Sequence, residues 1–123
     1  MRAILLVDHG SRVAAANRVV EDVAAELRAS VEEGTLVAFA HQEMAAPSIR
    51  EAIDALVAAG ASELVVVPFF LAPGRHATED VPRLAREAAA RHGSLRLEVL
   101  APPLPASPAG LAAITLASLS GRS

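Results

Sequence analysis

Apolar residues gather in four short runs, Ala3–Val7, Thr35–Ala40, Leu64–Phe70 and Leu95–Leu100, about thirty residues apart. Continuous apolar runs predict strands buried on both faces, as in a parallel sheet. The segments between them change period. In 13–30, Val19, Val23 and Leu27 recur every four residues, and in Ser48–Ala59 a single face carries Ile49, Ile53, Leu56 and Val57; a third helix is predicted over Glu79–Arg91. The punctuation fits. Gly34, Gly60 and Gly93 stand where these helices should stop, Ser48 and Glu51 have capping-box spacing after Pro47, and Thr78 is placed to cap the third helix. Prolines exclude a helix over Ala101–Pro108, and Ala109–Leu119 has the composition of a last one.

Strands alternating with helices over short connections give right-handed crossovers and a parallel sheet. The expected fold is α/β: a three-layer, four-stranded parallel sheet with helices on both faces, of flavodoxin-like type. At 123 residues the chain is expected to form one domain over 1–123.

Composition narrows the function. Hydrophobic residues make up 53% of the chain but only three residues are aromatic, all Phe, so the core must be built from Ala, Val and Leu. A net charge of −3 argues against a nucleic-acid partner, which would demand a strongly basic surface. The absence of cysteine excludes disulfides, thiolate metal sites and cysteine nucleophiles. Every basic residue is arginine, whose planar fork suits carboxylate groups. Met1-Arg2-Ala3 runs directly into a strand pattern, with neither a signal segment nor a membrane span, so a cytoplasmic protein without a membrane partner is expected.

The candidate chemistry lies after the strands. Asp8, His9, Ser11 and Arg12 follow the first run, His41, Gln42 and Glu43 the second, and Gly74, Arg75 and His76 the third. Parallel strands would bring all three loops to one rim, where open α/β sheets place ligands. Two imidazoles and a carboxylate leave coordination positions open and suit mid-row divalent metals rather than Mg²⁺ or Ca²⁺. Phe69 and Phe70 offer an apolar neighbour for a flat ligand. His92, at the end of the third helix, is explained by the helix dipole. A Ser11–His–Asp8 triad lacks the glycine-flanked nucleophile elbow of hydrolases, and neither a dinucleotide fingerprint nor a P-loop is present.

Three blocks taken in order carry a resemblance: Leu5-Leu6-Val7-Asp8-His9-Gly10-Ser11-Arg12; Ala40-His41-Gln42-Glu43-Met44-Ala45-Ala46-Pro47-Ser48-Ile49; and Val65 through His76 followed by Asp80-Val81-Pro82. Together they resemble the short, single-repeat sirohydrochlorin chelatases of cobalamin and siroheme biosynthesis, over residues 3 to about 104. The resemblance implies a chelatase-like half fold and insertion of Co²⁺ or Fe²⁺, with Ni²⁺ a lesser candidate, into a tetrapyrrole without an organic cofactor. It implies that His9 and His76 bind the metal and that His9 also accepts a pyrrole proton. Glu43 would contact the macrocycle or shuttle protons, and Leu71, Ala72, Pro73, Gly74, Arg75 and His76 would line it. It further implies a homodimer with facing clefts. The departures are Val13, where an acidic or proline-containing stretch is common, and Pro105-Ala106-Ser107-Pro108 in place of a glycine-containing turn. A non-catalytic metal or tetrapyrrole carrier using the same residues is the competing reading.

Overall fold

A computed structural model of the chain describes residues 1–69 and 75–100, the last group including 75–78 as helical backbone alone. The elements alternate: β1 (Arg2–Asp8), α1 (Ala14–Ser30), β2 (Leu36–His41), α2 (Ile49–Ala58), β3 (Glu63–Pro68), α3 (Arg75–Ala89) and β4 (Arg96–Val99). All strand pairs are parallel, in the order β2-β1-β3-β4. The predicted last helix lies outside the described residues.

Alternation along β1 decides which helix covers which face. Ala3, Leu5 and Val7 point to one side, where Ile49, Ala52, Ile53 and Leu56 of α2 and Val81, Ala85 and Ala88 of α3 close over them. Leu6 points to the other, with Val37, against Val20 and Ala24 of α1. The three layers are therefore as expected. So is the small-residue core, which lets helix backbones approach the sheet closely.

Several local expectations change. The buried stripe of α1 is Val20 and Ala24 flanked by Val23 and Leu27, whereas Val19 is exposed; the i, i+3, i+4, i+7 face runs from 20, not 19. β4 is not buried on both faces: Leu97 and Val99 pack against the core under α2 and α3, while Arg96 and Glu98, which alternate with them, are exposed. α3 begins at Arg75 instead of Glu79, so Arg75 and His76 belong to its first turn rather than to a loop, and Thr78 lies inside the helix instead of capping it. Residues 75–78 carry no apolar periodicity and Pro82 has the look of a first-turn proline, which together hide the true start. α2 starts as expected: the Ser48 hydroxyl accepts from the Glu51 N–H, and the Glu51 carboxylate accepts from the Ser48 N–H.

Candidate functional site at the strand ends

The strand order fixes a crevice. From β1 the chain moves to β2 on one flank, and through α2 it returns to β3 on the other, with α1 on one face and α2 and α3 on the opposite one. The switch lies between β1 and β3, and the groove outside their C-terminal ends is where such sheets bind ligands. His9 leaves β1 at this point, and α3, with His76 in its first turn, follows β3.

Two of the loops are joined as an extension of the sheet. Beyond the last paired residues, Asp8 and His41, the Gln42 N–H donates to the Asp8 carbonyl at 2.9 Å and the Glu43 N–H donates to the His9 carbonyl at 3.1 Å. The two chains are so close at this point that only glycine fits beside them. Gly10 has φ +85°, and a Cβ there would stand 1.8 Å from the Glu43 carbonyl oxygen. His9 and Glu43 are both exposed on the rim, as expected, and this backbone seam sets the distance between them.

The first loop is also anchored to α1. Asn17 accepts from the Ser11 N–H at 2.8 Å and donates to the Ser11 carbonyl at 2.7 Å, while the Ser11 hydroxyl accepts from the Val13 N–H. Among the described residues no hydrolase triad assembles around Ser11, whose hydroxyl accepts a bond within its own loop while Asp8 is bonded to His41.

His41 differs from its expected place. It ends β2 instead of opening a loop, it is 1% exposed, and its Nδ1 lies 2.6 Å from Asp8 Oδ1. A carboxylate only accepts, so the imidazole donates. Gln42 reaches in another direction: its side-chain amide donates to Asp80 Oδ2 at 3.4 Å, and its Oε1 is buried without a partner among the described residues. Asp80 lies four residues after His76 on α3, one turn along the same helix face. The Asp8–His41 and Gln42–Asp80 contacts were not foreseen from sequence. Asp8 and His41 each end an apolar run, and that shared position was the available signal.

The described side chains include His9 and Glu43 but not His76, and among them no group of three or more His, Asp or Glu could hold a metal. Leu71, Ala72, Pro73 and Gly74 fall outside the described residues, and Arg75 and His76 are placed by backbone only. A cleft of about 260 Å³ between α2 and α3, lined by Gln42, Arg50, Leu84, Glu87 and Arg91 among others, contains neither His9 nor Glu43. His92 is engaged away from His9 and Glu43, with Asp54 of α2. Its Nε2 lies 2.7 Å from Asp54 Oδ1 and Arg91 bonds both oxygens of the same carboxylate, so His92 staples α3 to α2 in addition to any dipole effect. Hydrogen bonds from His92 and then Arg91 hold the Asp54 carboxyl below its ordinary range.

Known proteins share both sequence and fold with this chain. It is 38% identical over 99 residues to the chloroplastic sirohydrochlorin ferrochelatase of Arabidopsis thaliana, covering 80% of this chain and 44% of that protein. A crystal structure of a cobalamin biosynthesis CbiX protein from Marinobacter aquaeolei VT8 superposes with a TM-score of 0.77 at 30% identity, over 98% of this chain and 97% of that one. The sirohydrochlorin chelatase SirB from Bacillus subtilis subspecies spizizenii, solved in complex with cobalt, superposes with a TM-score of 0.74 at 33% identity, over 83% of this chain and 44% of that one. The chain spans about half the length of the curated relatives it matches first. The family match runs over residues 3–115, nearly the whole sequence, and the chain belongs to the CbiX family.

Proposed function

We propose that the chain, as one domain, is a sirohydrochlorin metal chelatase that inserts a divalent cation and releases the two pyrrole protons. The observation that carries this is the seam at the strand ends, which holds exposed His9 beside exposed Glu43 through the Glu43 N–H to His9 carbonyl bond, next to the β1/β3 switch point. His9 and His76 receive the metal as substrate. Insertion needs a base near the metal's path, because each N–H must lose its proton as the nitrogen takes the cation. His9 and Glu43 are the bases at hand. Met44, 59% exposed beside Glu43, gives the macrocycle an apolar contact, and Leu71 through His76 are the further residues that would line it.

The relatives support both metals: the Arabidopsis protein is named a ferrochelatase and the Bacillus structure holds cobalt. Co²⁺ and Fe²⁺ are accordingly the proposed substrates, with Ni²⁺ third and no organic cofactor. A second copy of the chain would supply the half that the Bacillus protein carries in addition, so a homodimer is proposed. The cytoplasm is the proposed location; no described helix is long and apolar enough to cross a membrane.

Anaerobic mixing of the chain with sirohydrochlorin and Co²⁺ or Fe²⁺, followed by absorbance, tests the reading. Many turnovers per chain, lost in His9→Ala and His76→Ala, are expected. A single stoichiometric binding event without turnover would make the chain a carrier. Unchanged insertion in both variants would refute the assignment of the site.

A further inference from the structure

Among the described residues His41 is the one buried polar side chain in a core otherwise made of aliphatic residues. Burying an imidazole costs free energy unless it is hydrogen-bonded, and an apolar pair of similar volume usually serves a core as well or better. The fold therefore does not need this residue for packing. What distinguishes it is position. Asp8 and His41 are directly paired at the ends of β1 and β2, and their 2.6 Å contact lies at the foot of the two loops that carry His9 and Glu43. Asp8 immediately precedes His9, and His41 precedes Glu43 by two residues.

The contacts around the pair hold it in place. Phe39 meets the imidazole edge-on, with ring centroids 5.8 Å apart, and the His41 N–H donates to the Pro47 carbonyl at 2.9 Å, closing the far end of the β2–α2 loop. The imidazole thus packs against Phe39 of its own strand, the His41 backbone is tied to the loop, and Nδ1–H reaches across to the neighbouring strand. Above it, two backbone bonds, Gln42 to Asp8 and Glu43 to His9, join the loops. Asp8 is 17% exposed, so its carboxylate sits between the buried imidazole and the rim.

We propose that His41, acting through Asp8, is a positioning residue that fixes His9 relative to Glu43. It touches neither metal nor macrocycle. A reactive constellation must be held to about 0.5 Å, and exposed loops do not achieve this without a locked side chain beneath them. This inference rests on the assignment of His9 as a metal-receiving group.

The test titrates the folded protein with Co²⁺ alone and follows its visible absorption, well below each variant's thermal midpoint as determined by circular dichroism. His41→Phe keeps the volume and the contact with Phe39 but removes the donor; His41→Asn restores a donor near Nδ1. Asp8→Asn keeps an acceptor, and Asp8→Ala removes it. Partners of this kind typically change metal affinity by about 10- to 100-fold. The expected pattern is a loss of about tenfold or more in His41→Phe and Asp8→Ala, with most of it recovered in His41→Asn and Asp8→Asn. A purely structural role would not give that pairing of loss and rescue. If His41→Phe binds Co²⁺ like the parent while His9→Ala does not, the inference fails and the metal site stands. If His41→Phe does not fold, equal affinities of Asp8→Ala and Asp8→Asn would overturn it as well. If His9→Ala itself leaves Co²⁺ binding unchanged, the site assignment fails first and this inference with it.

Discussion

Replacing Gly10 by alanine should damage both stability and chemistry, and the size of the effect follows from the seam. The new Cβ would lie 1.8 Å from the Glu43 carbonyl oxygen, 2.9 Å from its carbon and 3.1 Å from His41 Cβ. None of these is a flexible side-chain tip that could swing away, so the β2–α2 loop must retreat by more than about 1 Å, given that unstrained nonbonded carbons sit at ~3.5 Å or more. That retreat breaks the Gln42 to Asp8 and Glu43 to His9 bonds, each worth about 1 kcal/mol net. The φ of +85° adds about 1–2 kcal/mol for any residue with a Cβ. The sum is about 3–4 kcal/mol. Two further substitutions separate the contributions: Gly34 has φ +89° with nothing near its missing Cβ, and Gly93 has neither constraint. Urea unfolding should therefore order the variants as Gly93→Ala near zero, Gly34→Ala about 1–2 kcal/mol, and Gly10→Ala about 3–4 kcal/mol. Metal insertion should fall in Gly10→Ala alone, by as much as about 100-fold, since a reacting group displaced by ~1 Å can cost that much. A Gly10→Ala variant no less stable than Gly34→Ala, with normal insertion, would refute the close approach of the two loops.

Three other outcomes are expected. Gln42→Glu should set a carboxylate against Asp80, loosen α3 from the Glu43 loop and slow metal insertion; adding Asp80→Asn restores a donor–acceptor pair of reversed polarity, so the double variant should recover activity that the single one lost. Failure of that rescue in steady-state assays would remove the link between Gln42 and the His76 helix. Asp54→Asn should lower the thermal midpoint at neutral pH. Because the folded Asp54 carboxyl is held below its ordinary value, chiefly by His92 and then by Arg91, its contribution is present above the unfolded pKa of about 4 and disappears as pH falls through the lower folded value. Parent and variant should thus converge in acid, and a gap that persists there would contradict the staple. Ser48→Ala should cost about 1 kcal/mol in urea unfolding through loss of the capping box, and a change near zero would show that α2 is held by its packing alone.

Much of the fold is legible in the sequence. β1, β2 and β3 show as aliphatic runs because burial in the sheet demands it, and α2 shows its start because Ser48 and Glu51 satisfy orphan N–H groups by local bonds alone. Where the period is weak, reading fails. Val19 and Val20 sit side by side, and only the sheet decides that the second is buried. The start of α3 at Arg75 was missed because its first turn carries no apolar pattern, so His76 belongs to a helix rather than a loop.

The sequence by itself determined the α/β class, the alternation of strands and helices along the chain, the absence of thiol chemistry and the blocks containing His9, Glu43 and His76. Those features depend on local propensity and residue type, and both are written along the chain. Only the tertiary structure decided that β1 lies between β2 and β3, that Gly10 closes against Glu43, and that His41 is a buried partner of Asp8 rather than a rim residue. Strand order and cross-strand contacts arise when segments far apart in sequence are packed together, and no local pattern encodes which strand ends will meet.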